Sequence, residues 1–177
     1  SLVGNIVSLS LTRELGPVLA CRMITSRACS AMATELGTMR VTEQIDALES
    51  MAVNPVQYLI VPRLIAGTIM APLLTMLFEA FGMLGCYLVA IKVLLVDPGA
   101  FWHYVHVYTD PDDLVHGIAK SILIGFVCSL IACYKGFNAT RGAEGVGRAT
   151  NEAVVLGSVS VFAMDYFLTV LMIATGF

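Results

Sequence analysis

The chain has 177 residues, 58% of them hydrophobic and only 13% charged, with a mean hydropathy of +0.84. That usage lies far from soluble proteins, and the apolar residues come in the long blocks that membrane-spanning helices require. A net charge of −3 leaves no basic face for nucleic acid.

The five cysteines (Cys21, Cys29, Cys86, Cys128 and Cys133) all fall inside apolar blocks without a C-x-x-C pair, so they read as small packing residues. The chain begins at Ser1 without Met and already within a hydrophobic stretch, which leads us to expect further sequence ahead of it. The first expected span covers residues 2–33 and carries Arg13, Glu14, Arg22 and Arg27. A helix of that length is roughly 45 Å, longer than the hydrocarbon core, so one end must project into water. Arg22 and Arg27 are placed towards the end that meets the next segment. Arg13 and Glu14 lie deeper; ionisable groups there face a bundle interior or a wet cavity, or else snorkel to the interface.

The stretch 34–55, TELGTMRVTEQIDALESMAVNP, is one a bilayer would reject. Val41, Ile45, Leu48 and Ala52 recur at helical spacing while Glu43, Gln44, Asp46 and Glu49 point elsewhere, which predicts a short amphipathic helix over about 42–51. Asn54-Pro55 marks a turn. The second span, 59–91, opens near Pro62, contains Pro72 as an expected kink, and holds the lone acid Glu79. Glu79 reads either as a carboxyl facing a cavity or as a neutral group hydrogen-bonded between helices.

Residues 92–113 form a polar connection whose Trp102, Tyr104 and Tyr108 suit a membrane interface. His103, His106 and His116 beside aspartates are a weak metal signal, and no metal site is expected. The third span is 114–134, with Lys120 near its start, where snorkelling is open to it. The loop KGFNATRGAEGVGRATNEA, residues 135–153, is Gly-rich but lacks either nucleotide-binding pattern. The last span is 153–177, with Asp165 near its middle. Arg40, Arg63, Lys135, Arg141 and Arg148 mark the first and last connections as cytoplasmic, and residues 92–113 as facing the other side. The fold expected is all-α: a polytopic transmembrane bundle with four visible spans and a short cytoplasmic helix.

Three runs then become specific. LTRELGPVL at 11–19, AMATELGTMRVTEQIDALESMAVNPVQYLIVPR at 31–63 and GAEGVGRATNEAVV at 142–155 closely resemble the MlaE/YrbE permease family, over nearly the whole chain. The resemblance implies a fifth transmembrane helix in the full subunit. It also implies a non-enzymatic permease of an ATP-driven phospholipid transporter in the bacterial inner membrane. The partners so implied are a second copy of the chain, a cytoplasmic subunit that binds ATP and Mg, a hexamer of MCE-domain proteins on the periplasmic side and a small STAS-type accessory subunit. No cofactor is expected on this chain itself. The family's cavity residues map to Arg13, Glu14 and Asp165, and Glu79 joins them as a candidate. The ATPase-coupling surface maps to Arg40, Thr42, Glu43, Gln44, Asp46, Leu48 and Glu49. CRMITSRAC at 21–29 departs from the smaller, Gly/Ala-rich pattern of relatives. Two rival readings are an ion-coupled carrier using Glu14, Glu79 and Asp165 as a proton relay, and a lipid enzyme, for which no Ser/His or metal constellation is present.

Overall fold

The computed structural model describes residues 10, 14–93, 95, 97–108 and 111–175. Every regular element among them is helical. The first rod comprises α1 (Gly16–Ile24), a π-helical turn (Thr25–Cys29) and α2 (Ser30–Val41), running without a break. The short α3 (Gln44–Ser50) follows, then a π-helical turn (Val56–Ile60) leading into the long α4 (Val61–Lys92). The chain continues through α5 (Pro98–Tyr108), α6 (Pro111–Phe137) and α7 (Ala143–Thr175).

Among the described residues, three helical stretches are long and apolar enough to cross a membrane: Val56–Lys92, Leu114–Phe137 and Ala143–Ala174. They correspond to the second, third and fourth expected spans. The first expected span starts on residues outside the described set. Only 17% and 11% of the most apolar windows of the first and last stretches are buried within the chain. Apolar helices so little covered by protein suit hydrocarbon as their solvent.

Small residues bring these helices together, as expected where lipid offers no hydrophobic drive for association. A Cβ at Gly125 on α6 would collide with the Cβ of Ala71 on α4. One at Gly136 would stand 2.8 Å from the carbonyl oxygen of Ala33 on α2. Between the first rod and α6, Cys21, Cys29, Ile124, Cys128 and Ala132 form a core with Val161 of α7. The Thr25 hydroxyl lies 2.8 Å from the Cys21 carbonyl and 3.3 Å from Cys128 Sγ, so the π-helical turn sits on the seam between the two helices. The expectation that cysteines serve as packing residues fits these buried thiols.

Pro72 does not end its helix, since α4 passes through it from Val61 to Lys92. The connection 92–113 holds α5, a helix the sequence reading did not foresee. It docks on the end of α4 through Ala90, Phe101 and Val105, with Tyr87 edge-on to Phe101 at 5.7 Å. The first and last connections share one end of the bundle: Thr34 meets Thr150 at 2.8 Å, and Gly37 lies against Ala139 and Val146. This is the pairing that the basic residues required.

Candidate functional site: a charged cluster in the bundle and a docking helix at its end

Side chains from three helical segments meet around one ammonium. Lys120 on α6 is 3% exposed and donates to Glu14 Oε1 at 2.9 Å and to Thr169 Oγ1 at 2.8 Å. Asp165 Oδ1, one turn before Thr169 on α7, lies 3.8 Å from the same nitrogen and has no hydrogen bond among the described residues. The Thr169 hydroxyl is 2.8 Å from the Asp165 carbonyl and 3.3 Å from Glu14 Oε2, so a single proton serves both. The expected pair Glu14 and Asp165 is therefore brought together, and Lys120 is what joins them. Snorkelling does not describe Lys120: its charge is turned into the bundle, where partners compensate its desolvation. Lys120 and Thr169 were missed as site residues because nothing in helical periodicity says that positions so far apart share a depth.

Two carboxylates around one ammonium leave a formal excess of negative charge. Such a cluster can hold a cationic group, or orient donors towards a charged ligand. Arg13, the chain neighbour of Glu14, lies outside the described residues. Glu79 is not part of the cluster as drawn by these bonds. It is 7% exposed on α4, and neither carboxylate oxygen has a hydrogen-bond partner among the described residues. The interhelical hydrogen bond considered for it is thus not seen.

At the other end of the bundle, α3 is shorter than the expected 42–51. Thr42 and Glu43 form the turn before it, with Glu43 in the left-handed region at φ 59°. Ile45 is fully buried with Leu36, Leu59 and Cys133, and Leu48 packs against them, so the apolar face docks the helix on the bundle. Ala52, the last residue of the expected apolar stripe, is exposed beyond the helix at φ 60°. Thr42, Glu43, Gln44, Asp46 and Glu49 face outward. Asp46 is held by Arg40 at 2.8 Å, and Arg40 also covers the Phe137 ring at 6.0 Å. Arg63 of α4 reaches Glu35 of α2 at 3.0 Å and the Leu59 carbonyl at 3.0 Å. The helix is therefore fixed to α2, to α6 and to the π-helical turn that leads into α4, which suits a lever between a soluble partner and the spans.

A groove of about 490 Å³ runs between the first rod and α4, walled by Ala20, Met23, Ile24, Leu74, Leu77 and Phe78, with Arg27 also on its lining. Apolar walls of this kind accept hydrocarbon.

The chain matches the family model described as Permease MlaE over residues 1–171. It is 42% identical over 169 residues to a probable ABC transporter permease protein of Rickettsia felis, covering 96% of this chain and 65% of the relative. It is 38% identical over 175 residues to the intermembrane phospholipid transport system permease protein MlaE of Haemophilus influenzae, covering 98% and 67%. To the chloroplastic protein TRIGALACTOSYLDIACYLGLYCEROL 1 of Arabidopsis thaliana it is 36% identical over 167 residues, covering 94% and 48%. The chain thus spans about two thirds of the length of the bacterial relatives.

Proposed function

The chain belongs to the MlaE permease family, and from that premise we propose that it is the membrane subunit of an ATP-driven phospholipid transporter. The observation that carries this reading is the pairing of a charged cluster inside the bundle, centred on Lys120, with a docked acidic helix at the opposite end. The first suits polar contact with a lipid head group out of bulk water; the second suits attachment of the energy-supplying subunit.

In this proposal the chain has no catalytic site of its own. ATP and Mg are held by a separate cytoplasmic subunit seated on Thr42, Glu43, Gln44, Asp46 and Glu49. Two copies of the chain enclose the lipid path, in the bacterial inner membrane. A hexamer of MCE-domain proteins receives or delivers lipid on the periplasmic side, with a small STAS-type subunit as accessory. Arg13 contributes a charge-assisted donor to the lipid phosphate, Glu14, Lys120 and Asp165 set the polarity around it, and apolar walls take the acyl chains.

The test is reconstitution of the full-length protein with its partners in liposomes. ATP-dependent transfer of labelled phospholipid is expected, and Arg13→Ala should abolish it while the complex still assembles. Transfer by the Arg13→Ala complex at the parental rate would remove Arg13 from the path. Transfer driven by a pH gradient with no ATPase subunit present would replace the reading by an ion-coupled carrier.

A further inference from the structure

Arg22 sits where an arginine is hardest to accommodate. It is an exposed residue of α1, and its guanidinium lies over the Phe162 ring of α7, 5.2 Å from the centroid. That contact fixes its depth. Phe162 is about 15 Å along α7 from Glu152 and about 20 Å short of Thr175, at 1.5 Å per residue. Neighbouring contacts agree on the register: Thr25 meets Gly157 and Thr34 meets Thr150, so the first rod and α7 run side by side in opposite directions. The guanidinium therefore stands near the middle of the hydrocarbon thickness, beyond the reach of a side chain snorkelling to the cytoplasmic surface. Among the described residues it has no ion pair and no hydrogen bond, only the aromatic face. Sequence alone placed Arg22 towards the cytoplasmic end of its span; the ring contact places it deeper.

The surroundings are apolar. Leu19, Met23, Val159 and Phe162 are all exposed on the two helices that flank Arg22. A charge facing lipid tails at this depth is strongly unfavourable, so such residues face a water-containing cavity or a charged ligand. A planar, always-charged guanidinium whose donors meet no partner among the described residues, set in an apolar wall, has the character of a receptor for a phosphate carried on hydrocarbon chains.

We propose that Arg22 binds the phosphate of an anionic amphiphile at mid-depth, on the face formed by α1 and α7. It lies about 12 Å along the first rod from Glu14, at 1.5 Å per residue, so it gives the head group a second station separate from the Lys120 cluster. Phe162 holds the guanidinium extended and ready by a cation–π contact. This rests on the lipid-transport reading above and assigns a head-group contact within it.

The test uses the full-length protein purified with its partner subunits. The complex is equilibrated with mixed micelles holding equal amounts of phosphatidylglycerol and diacylglycerol, and its retained lipid is counted by mass spectrometry. The parent should favour phosphatidylglycerol by ~10-fold or more, the range of a charge-assisted hydrogen bond. Arg22→Leu should bring that preference to within about twofold, while Arg22→Lys should keep most of it. Should Arg22→Leu fail to assemble, Arg22→Gln, which keeps a polar side chain and loses the charge, gives the same reading. A neutral variant that keeps the parental preference overturns the assignment and leaves the transport reading standing. So does a neutral variant that splits the complex into single copies while Arg22→Lys does not, since Arg22 is then a subunit contact. A parent complex that retains neither lipid overturns the transport reading itself.

Discussion

At the scale of single residues, Lys120 governs the site. Its ammonium is shared among Glu14, Thr169 and, more distantly, Asp165, and at 3% exposure it has little water to fall back on. Lys120→Met removes the cation and leaves two carboxylates facing each other. Breaking a buried pair by deleting one partner costs about 3–5 kcal/mol, and Glu14, with 44% of its side chain exposed, places this case towards the lower figure. We expect a clear fall in the thermal midpoint of the detergent-solubilised protein. Adding Glu14→Gln to Lys120→Met should recover part of that loss, because the uncompensated charge is then reduced. A double variant no more stable than Lys120→Met alone would show that the carboxylate was not relying on the lysine. Glu14 and Asp165 were legible in the sequence as acids that a bilayer would not tolerate without a reason. Lys120 was not, because a lysine near a span end has an easier explanation in snorkelling, and only the packing of α6 against the first rod and α7 removes it. Arg22 escaped for the related reason that depth is a property of helix register, fixed here by one ring contact.

At the scale of elements, α3 shows what periodicity can and cannot give. Ile45 and Leu48 face the bundle as their spacing required, whereas the helix starts at Gln44, because Glu43 takes up the left-handed conformation that turns the chain. Asp46→Lys breaks only the exposed pair with Arg40, a loss of about 0–1 kcal/mol. Its stability should therefore be near parental, while capture of the ATPase subunit or coupling of hydrolysis to lipid movement is lost. Glu43→Lys should act in the same way. Parental ATPase capture and transport by both variants would reduce α3 to a connector. Gly136 offers a separate test of the packing between α2 and α6. Gly136→Leu must push its side chain into the Ala33 backbone, so the yield of folded protein should collapse, with size-exclusion chromatography as the check. The helix α5 was hidden in the sequence by Asp97-Pro98-Gly99, which reads as a turn but here places Pro98 at the first helical position.

At the scale of the whole molecule, the two candidate sites lie at opposite ends of one bundle. The apolar helices α4, α6 and α7 were readable because a bilayer dictates composition over whole spans. Their order around the charged cluster was not, since it depends on close contacts such as Gly125 against Ala71 and Gly157 against Thr25. The Leu36–Ile45–Leu59–Cys133 cluster ties the docking helix to α2, α6 and the π-helical turn before α4, and Arg63–Glu35 ties α4 to α2. Glu14, two residues ahead of the same first rod, and Lys120 of α6 form the charged pair. A movement imposed at α3 therefore has a continuous path of packed helices to the charged site.

The most direct measurement of this arrangement is phospholipid transfer by the reconstituted complex, timed alongside its ATP hydrolysis, for the parent and for Glu43→Lys/Asp46→Lys. Transfer that requires ATP in the parent, and falls by at least tenfold in the double variant while the spans remain folded, is the expected result. Transfer that proceeds equally in both, or that a pH gradient drives in the absence of the ATPase subunit, would contradict it.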